Sequence, residues 1–248
     1  MVGMRIADVQ EDIDHELVTK EQIEDIINRA AAQASEDYRG RNPLLVCVLK
    51  GAVNTIAAFA QAMSIPVQMD FMSLSSYGSG TESSGTITVR QDLSTDVRGR
   101  HVLIVEDIID SGITLSWLVD ELKRRGAASV EIFALLEKPA RRKVDVDVKY
   151  KGYEIPDEFV VGFGLDYDER YRNLDSIAVL KPAVYQGGQA GVFLQASHRR
   201  TTAAIRIVRT TVIRLPIRSA TATTMAAMVP VRSGSPRGCG WWSWRCLP

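Results

Sequence analysis

Leu44–Leu49 and Val102–Val105 are short runs of apolar residues with no polar interruption, and Val130–Leu136 is nearly one. Such runs are what strands buried on both faces look like. Between them lie helix-patterned segments. Thr19 and Gln22 have capping-box spacing, and Ile23, Ile26, Ile27, Ala30, Ala31 and Ala34 then recur at helical intervals, which predicts a helix from Lys20 to about Asp37. Gly40 and Pro43 end it. A second helix is expected from Val53 to Met63, and a third over Thr114–Arg125, stopped by Gly126. Val67–Leu74, Thr86–Val89, Phe159–Val161 and Ile177–Val179 read as further strands. Strands that alternate with helices predict an α/β fold, a mainly parallel sheet flanked by helices. Residues 75–85 (SSYGSGTESSG) are too polar to pack and read as a mobile loop.

The formal net charge of zero hides a segregation. All 30 acids lie within residues 1–185 with 21 of the 30 Lys and Arg, so that block carries 21 − 30 = −9. Residues 186–248 carry nine Arg, no Lys and no acid. This segment has three readings: a nucleic-acid-binding tail, a disordered appendage, or translated sequence foreign to the fold. Nine Arg without one Lys or acid look more like an altered reading frame in a GC-rich gene than like a basic arm. The expected division is therefore a folded domain over 1–185 and an Arg-rich tail, disordered or outside the fold, over 186–248. Cysteine is sparse, and Cys47 reads as a small buried hydrophobe of a cytoplasmic protein. The amino terminus reaches Glu11–Glu16 without the apolar stretch of a signal peptide, and no apolar run is long enough for a membrane span.

The chemistry concentrates in His101–Thr114, HVLIVEDIIDSGIT. A buried strand runs into Glu106 and Asp107, then Asp110, then Ser111-Gly112-Ile113-Thr114 at a helix start. Ligands of open α/β sheets bind at the carboxyl ends of strands. A Ser/Gly/Thr turn opening a helix offers backbone N–H groups, hydroxyls and the positive end of the helix dipole, a cradle for phosphate. Walker A spacing is absent. Three carboxylates beside a phosphate repel it, by about 1 kcal/mol per pair at 4 Å even in water. They make sense for a ligand that also brings hydroxyls and a divalent cation, as a sugar phosphate with Mg2+ does. The plainer alternative is a cluster of acids at a strand end followed by a helix cap.

Glu-Asp-Ile-Ile-Asp-Ser-Gly-Ile-Thr after four apolar residues resembles the phosphoribosyl pyrophosphate motif of the type I phosphoribosyltransferases, and is most similar to the bacterial hypoxanthine-guanine branch. The likeness runs from about Ile6 to Tyr185. It implies that branch's fold, with a small hood formed by the N- and C-terminal parts of the core. It implies purine salvage: transfer of the 5-phosphoribosyl group to hypoxanthine or guanine, giving IMP or GMP and pyrophosphate, with Mg2+ as cofactor. Glu106 and Asp107 would meet the ribose hydroxyls, directly or through Mg2+. Ser111, Gly112, Ile113 and Thr114 would hold the 5′-phosphate, and Asp110 would act as general base near N7 of the purine.

The resemblance extends beyond the motif. Leu49-Lys50-Gly51 looks like the family's pyrophosphate loop, whose Lys–Gly peptide can be cis, and Arg172 matches a pyrophosphate-contacting arginine. Ser76-Tyr77 resembles the lid that excludes water. Lys138 matches the donor to the 6-oxo group, Phe159 the aromatic that stacks on the base, and Val160 the backbone that reads its edge. Asp166 belongs with this purine set and matches a Mg2+ ligand, beside Glu106 and Asp107. Taken singly, Lys50 and Arg172 could be surface charges and Phe159 a core residue. A homodimer or homotetramer is expected, and nucleic acid is not an expected partner. Two rivals remain: a non-catalytic regulator that senses the same sugar phosphate, and a transferase for xanthine or another base. Ser-His-Asp and Cys-His arrangements are absent, and His15, His101 and His198 cluster with nothing.

Overall fold

Side-chain alternation across a central sheet sorts the apolar residues into two layers, and the helices follow from that sorting. The structure, a computed structural model, describes residues 4–76 and 87–186. Its strands are β1 (Ile13–Val18), β2 (Leu44–Leu49), β3 (Gln68–Ser76), β4 (Ile87–Gln91), β5 (His101–Ile109), β6 (Ser129–Glu137), β7 (Tyr150–Glu154), β8 (Val160–Val161) and β9 (Ile177–Leu180). Its helices are α1 (Lys20–Asp37), α2 (Val53–Ala62), α3 (Ile113–Arg124) and the short α4 (Pro182–Gln186).

Six strands form the main sheet in the order β4-β3-β2-β5-β6-β7, all parallel except β4. Odd-numbered residues Leu45, Cys47, Leu103, Val105, Phe133 and Leu135 pack with α1 and α2. Their even-numbered neighbours, among them Val46, Ile104 and Ala134, pack with α3 on the other face. The connection from β2 leads to one side of the sheet and that from β5 to the other, so the switch in strand order falls between them. Ligands of such sheets collect at this crevice. The second sheet, β1-β9-β8, is antiparallel and encloses its own core of Ile13, Val161, Tyr171, Leu174 and Leu180. It is the hood that the resemblance implies.

The capping box forms as expected: Gln22 N donates to Thr19 Oγ1 (3.3 Å) and Thr19 N to Gln22 Oε1 (2.8 Å). Several boundaries differ from the sequence reading. The strand expected over Val102–Val105 continues to Ile109, because β6 goes on pairing with it through Glu106↔Ala134 and Ile109↔Glu137. Glu106 and Asp107 are therefore strand residues. Strands β1 and β7 were not expected at all. In β1 only Ile13 and Val18 are buried, and exposed Asp14, His15 and Glu16 interrupt the apolar pattern. No helix among the described residues is long and apolar enough to cross a membrane. Tyr77, the lid loop beyond Ser76, and residues 187–248 lie outside the described residues.

Candidate active site

The carboxyl end of β5 runs into a turn that only glycine completes. Gly112 has φ 81°, and a Cβ there would collide with the Val144 carbonyl oxygen. Ser111 O accepts from Lys143 N (2.9 Å) and Val144 N (3.1 Å), which fixes the turn from behind. Beneath it the buried Glu137 carboxylate accepts from Arg142 Nη2 (3.1 Å), an ion pair not foreseen from the sequence. The first-turn N–H groups of α3, which have no partner within the helix, open onto a cleft lined by Glu106, Asp110, Ser111, Gly112 and Thr114 together with Val48.

Glu106 and Asp107, both expected at the ribose hydroxyls directly or through Mg2+, leave β5 in different directions. Consecutive strand residues face opposite ways. Glu106 lines the cleft with the turn at Ser111, Gly112 and Thr114, whereas Asp107 turns toward Gly51, where a Cβ would strike Asp107 Oδ2. Burial pushes Asp107 up to about 6, with the nearby Arg172 charge acting in the opposite direction, and burial beside Asp107 pushes Glu106 well above the usual carboxylate range. A cation would relieve both. Among the described residues no three His, Cys, Asp or Glu side chains gather as a cage, so Glu106, Asp107 and Asp166 do not converge on one point. An all-oxygen donor set of one or two carboxylates suits Mg2+, which keeps water and substrate oxygens as its other ligands.

Beyond β2, the Leu49–Lys50 peptide is cis. The sequence reading placed the cis bond one residue later, at Lys50–Gly51. Strand β2 pairs through Leu49↔Ser73, so the chain turns at the next bond, before Gly51 passes Asp107. The Gly51 carbonyl lies where a Cβ on Gly164 would be, so this loop and the one leading to Arg172 touch through two glycines. Asn54 Nδ2 donates to Arg172 O (3.2 Å), and Arg172 Nη1 donates to Gly164 O (2.7 Å). Arg172 also pairs with Asp166 (2.8 Å), and Lys50 Nζ with Glu169 (3.0 Å). Lys50, Gly51, Asp166 and Arg172, predicted from separate motifs, thus meet on one side of Asp107.

On the other flank Lys138 is buried at the end of β6, and its Nζ donates to Glu158 O (2.6 Å). Desolvation lowers its pKa, opposed by the charges of Asp110 and Asp157. An ammonium has three donors, so two remain for another acceptor. Phe159, 38% exposed, follows the residue whose carbonyl Lys138 holds and stacks on Tyr185 at 4.9 Å. Val160 follows it in β8, paired with Val179. Asp110 is half exposed, with Arg141 Nε 3.3 Å from its carboxylate. Arg141 was missed in the sequence because nothing marks it apart from Arg142 and Lys143; only the fold brings it to Asp110.

Residues 15–168 match the phosphoribosyl transferase domain family. The chain is 48% identical over 174 residues to the bifunctional protein TilS/HprT of Listeria monocytogenes; the match covers 70% of this chain but only 27% of that protein. It is 47% identical over 178 residues to the hypoxanthine-guanine phosphoribosyltransferase of Bacillus subtilis, covering 72% of this chain and 99% of the relative. Among solved structures, a hypoxanthine phosphoribosyltransferase from Staphylococcus aureus superposes with a TM-score of 0.69 at 43% identity, over 71% of this chain and 96% of that one.

Proposed function

From the premise that the chain belongs to the phosphoribosyltransferase family, in its hypoxanthine-guanine branch, we propose that it transfers the 5-phosphoribosyl group of phosphoribosyl pyrophosphate to hypoxanthine or guanine. The observation that carries the reading is a cleft at the end of β5 lined by Glu106, Asp110 and the turn at Ser111 to Thr114, with the buried Lys138 near enough to feel the Asp110 charge. Ser111, Gly112, Ile113 and Thr114 hold the 5′-phosphate, and Glu106 takes the ribose hydroxyls. Glu106 from the cleft, and Asp107 and Asp166 from the side of Gly51 and Arg172, would each offer carboxylate oxygen to Mg2+. When bound, that ion offsets charge on the leaving pyrophosphate.

Displacement at ribose C1 forms the bond to a ring nitrogen of the base and breaks the bond to pyrophosphate. Lys50, the Gly51 backbone and Arg172 stabilise the departing oxygens. Asp110 accepts the N7 proton; Arg141 at 3.3 Å keeps its carboxylate oriented. Lys138 donates to the 6-oxo oxygen, which selects hypoxanthine and guanine over adenine, whose 6-amino group offers no acceptor. Phe159 stacks on the base, the Val160 backbone reads its edge, and Ser76-Tyr77 forms part of the lid.

Residues 1–185 carry the whole reaction, residues 186–248 take no part in it, and the protein acts in the cytoplasm as a homodimer or homotetramer. The supports are the resemblance and the buried thiol of Cys47. A panel of hypoxanthine, guanine, xanthine and adenine with phosphoribosyl pyrophosphate and Mg2+ tests the reading. IMP and GMP are expected, from the full chain and from one ended after Gln186 alike. Turnover of adenine in preference to the 6-oxopurines would refute the assignment of Lys138, and loss of activity on truncation would refute that of the tail. Sedimentation at working concentration tests the assembly; a monomer that is fully active would count against it.

A further inference from the structure

Two of the cations assigned to pyrophosphate are joined by one carboxylate that the reaction does not use. Glu169 Oε1 accepts from Lys50 Nζ (3.0 Å), while Glu169 Oε2 faces Arg172 at 3.4 Å from Nε and 3.3 Å from Nη2. The two cations come from loops 122 positions apart in sequence, and each meets its own oxygen of the same group. The backbone that delivers Glu169 is unusual. Asp168 (φ 52°), Glu169 (φ 61°) and Tyr171 (φ 72°) are all left-handed, a region non-glycine residues seldom enter. The excursion is held by Glu169 N donating to Asp166 Oδ2 (2.9 Å), by reciprocal bonds between Tyr167 and Arg170, and by the buried Tyr171, whose hydroxyl donates to Asp12 (2.8 Å). Strained backbone that persists at a ligand-binding loop points to a role for the side chain it presents.

We propose that Glu169 is a placeholder that competes with pyrophosphate: its carboxylate bridges Lys50 and Arg172, and it must give both up for the ligand to bind them. The pairs are suited to exchange. Lys50 and Glu169 are 66% and 63% exposed, so their attraction is weak enough for a multiply charged anion to displace it. The bridge holds the exposed Lys50 ammonium beside Arg172, which Asp166 at 2.8 Å and Gly164 O at 2.7 Å already fix, and it lowers the affinity of the two cations for pyrophosphate. Glu169 is thus a positioning residue that sets pyrophosphate affinity, not a catalytic one. The inference rests on the assignment of Lys50 and Arg172 to pyrophosphate.

The direction of effect separates this role from a structural one, since damage to the loop weakens binding whereas removal of a competitor tightens it. In the full chain, Glu169→Gln is expected to lower both the inhibition constant of pyrophosphate and the KM for phosphoribosyl pyrophosphate about threefold, the scale of losing exposed ion pairs. The KM for hypoxanthine should stay unchanged, and Glu169→Ala should move the same two constants at least as far. Unchanged or weakened pyrophosphate inhibition in both variants, with the fold intact by circular dichroism, overturns the proposal. Lys50→Ala and Arg172→Ala serve as controls. If neither weakens pyrophosphate inhibition, the site assignment itself fails; if they do while the Glu169 variants fail to tighten it, only the placeholder fails.

Discussion

Asp107 loses most of its water to β5 and to the Gly51 backbone, and that loss is written into its proton affinity. The folded chain holds the proton up to about pH 6, whereas an unburied aspartate releases it near 3.8. Between those values the native state binds more protons than the unfolded one, so stability falls as pH rises through the window and this group adds no further slope above it. Asp107→Asn should therefore raise the melting temperature of the ligand-free protein at about pH 7 and leave it nearly unchanged at about pH 4. A variant that melts lower than the parent at pH 7 would show that the carboxylate is stabilised, not strained, by its surroundings. Asp110 is the contrasting case, half exposed and paired with Arg141. Asp110→Asn should lower kcat by about a hundredfold to ten-thousandfold while the KM for phosphoribosyl pyrophosphate moves little; steady-state kinetics that find kcat unaltered would remove Asp110 from the base role.

At the scale of elements, the unit that matters is β5, the turn and α3. Gly112 has no substitute there, because its left-handed φ is joined by a carbonyl where a side chain would start. Gly112→Ala should cost on the order of 1–2 kcal/mol in urea denaturation from the backbone alone, and should raise the KM for phosphoribosyl pyrophosphate more than that for the purine. Equal changes in both would mean the turn is only structural. The turn, the capped α1 and the buried strands were readable because each is encoded by neighbours in sequence. The two missed strands were not. Strand β1 owes its form to antiparallel pairing with β9, about 165 positions away, and its own residues IDHELV alternate poorly. Strand β7 is an edge whose Gly152 lies against the Leu135 carbonyl, a contact with no local signature. The opposed directions of Glu106 and Asp107 followed from continuing β5, an extension fixed by β6 and not by the segment itself.

The whole molecule assembles the site from three strand ends and the hood, and its charges meet across long separations. Lys50 and Glu169 pair over 119 positions, Asn54 and Arg172 over 118. Residue types at those positions could be matched to a family pattern, but their convergence on Asp107 is a property of the fold. Arg141, Glu137 and Glu169 had no motif to mark them, which is why they surfaced only in three dimensions. On the proposed function, the acidic block 1–185 would hold a strongly anionic substrate where backbone N–H groups, Lys50, Arg172 and a divalent cation outweigh the carboxylates locally. Isothermal titration of the full chain with phosphoribosyl pyrophosphate tests that balance directly. Saturable binding in Mg2+ buffer, lost or strongly weakened when the metal is chelated, is the expected result; no heat of binding in the presence of Mg2+ would contradict the account.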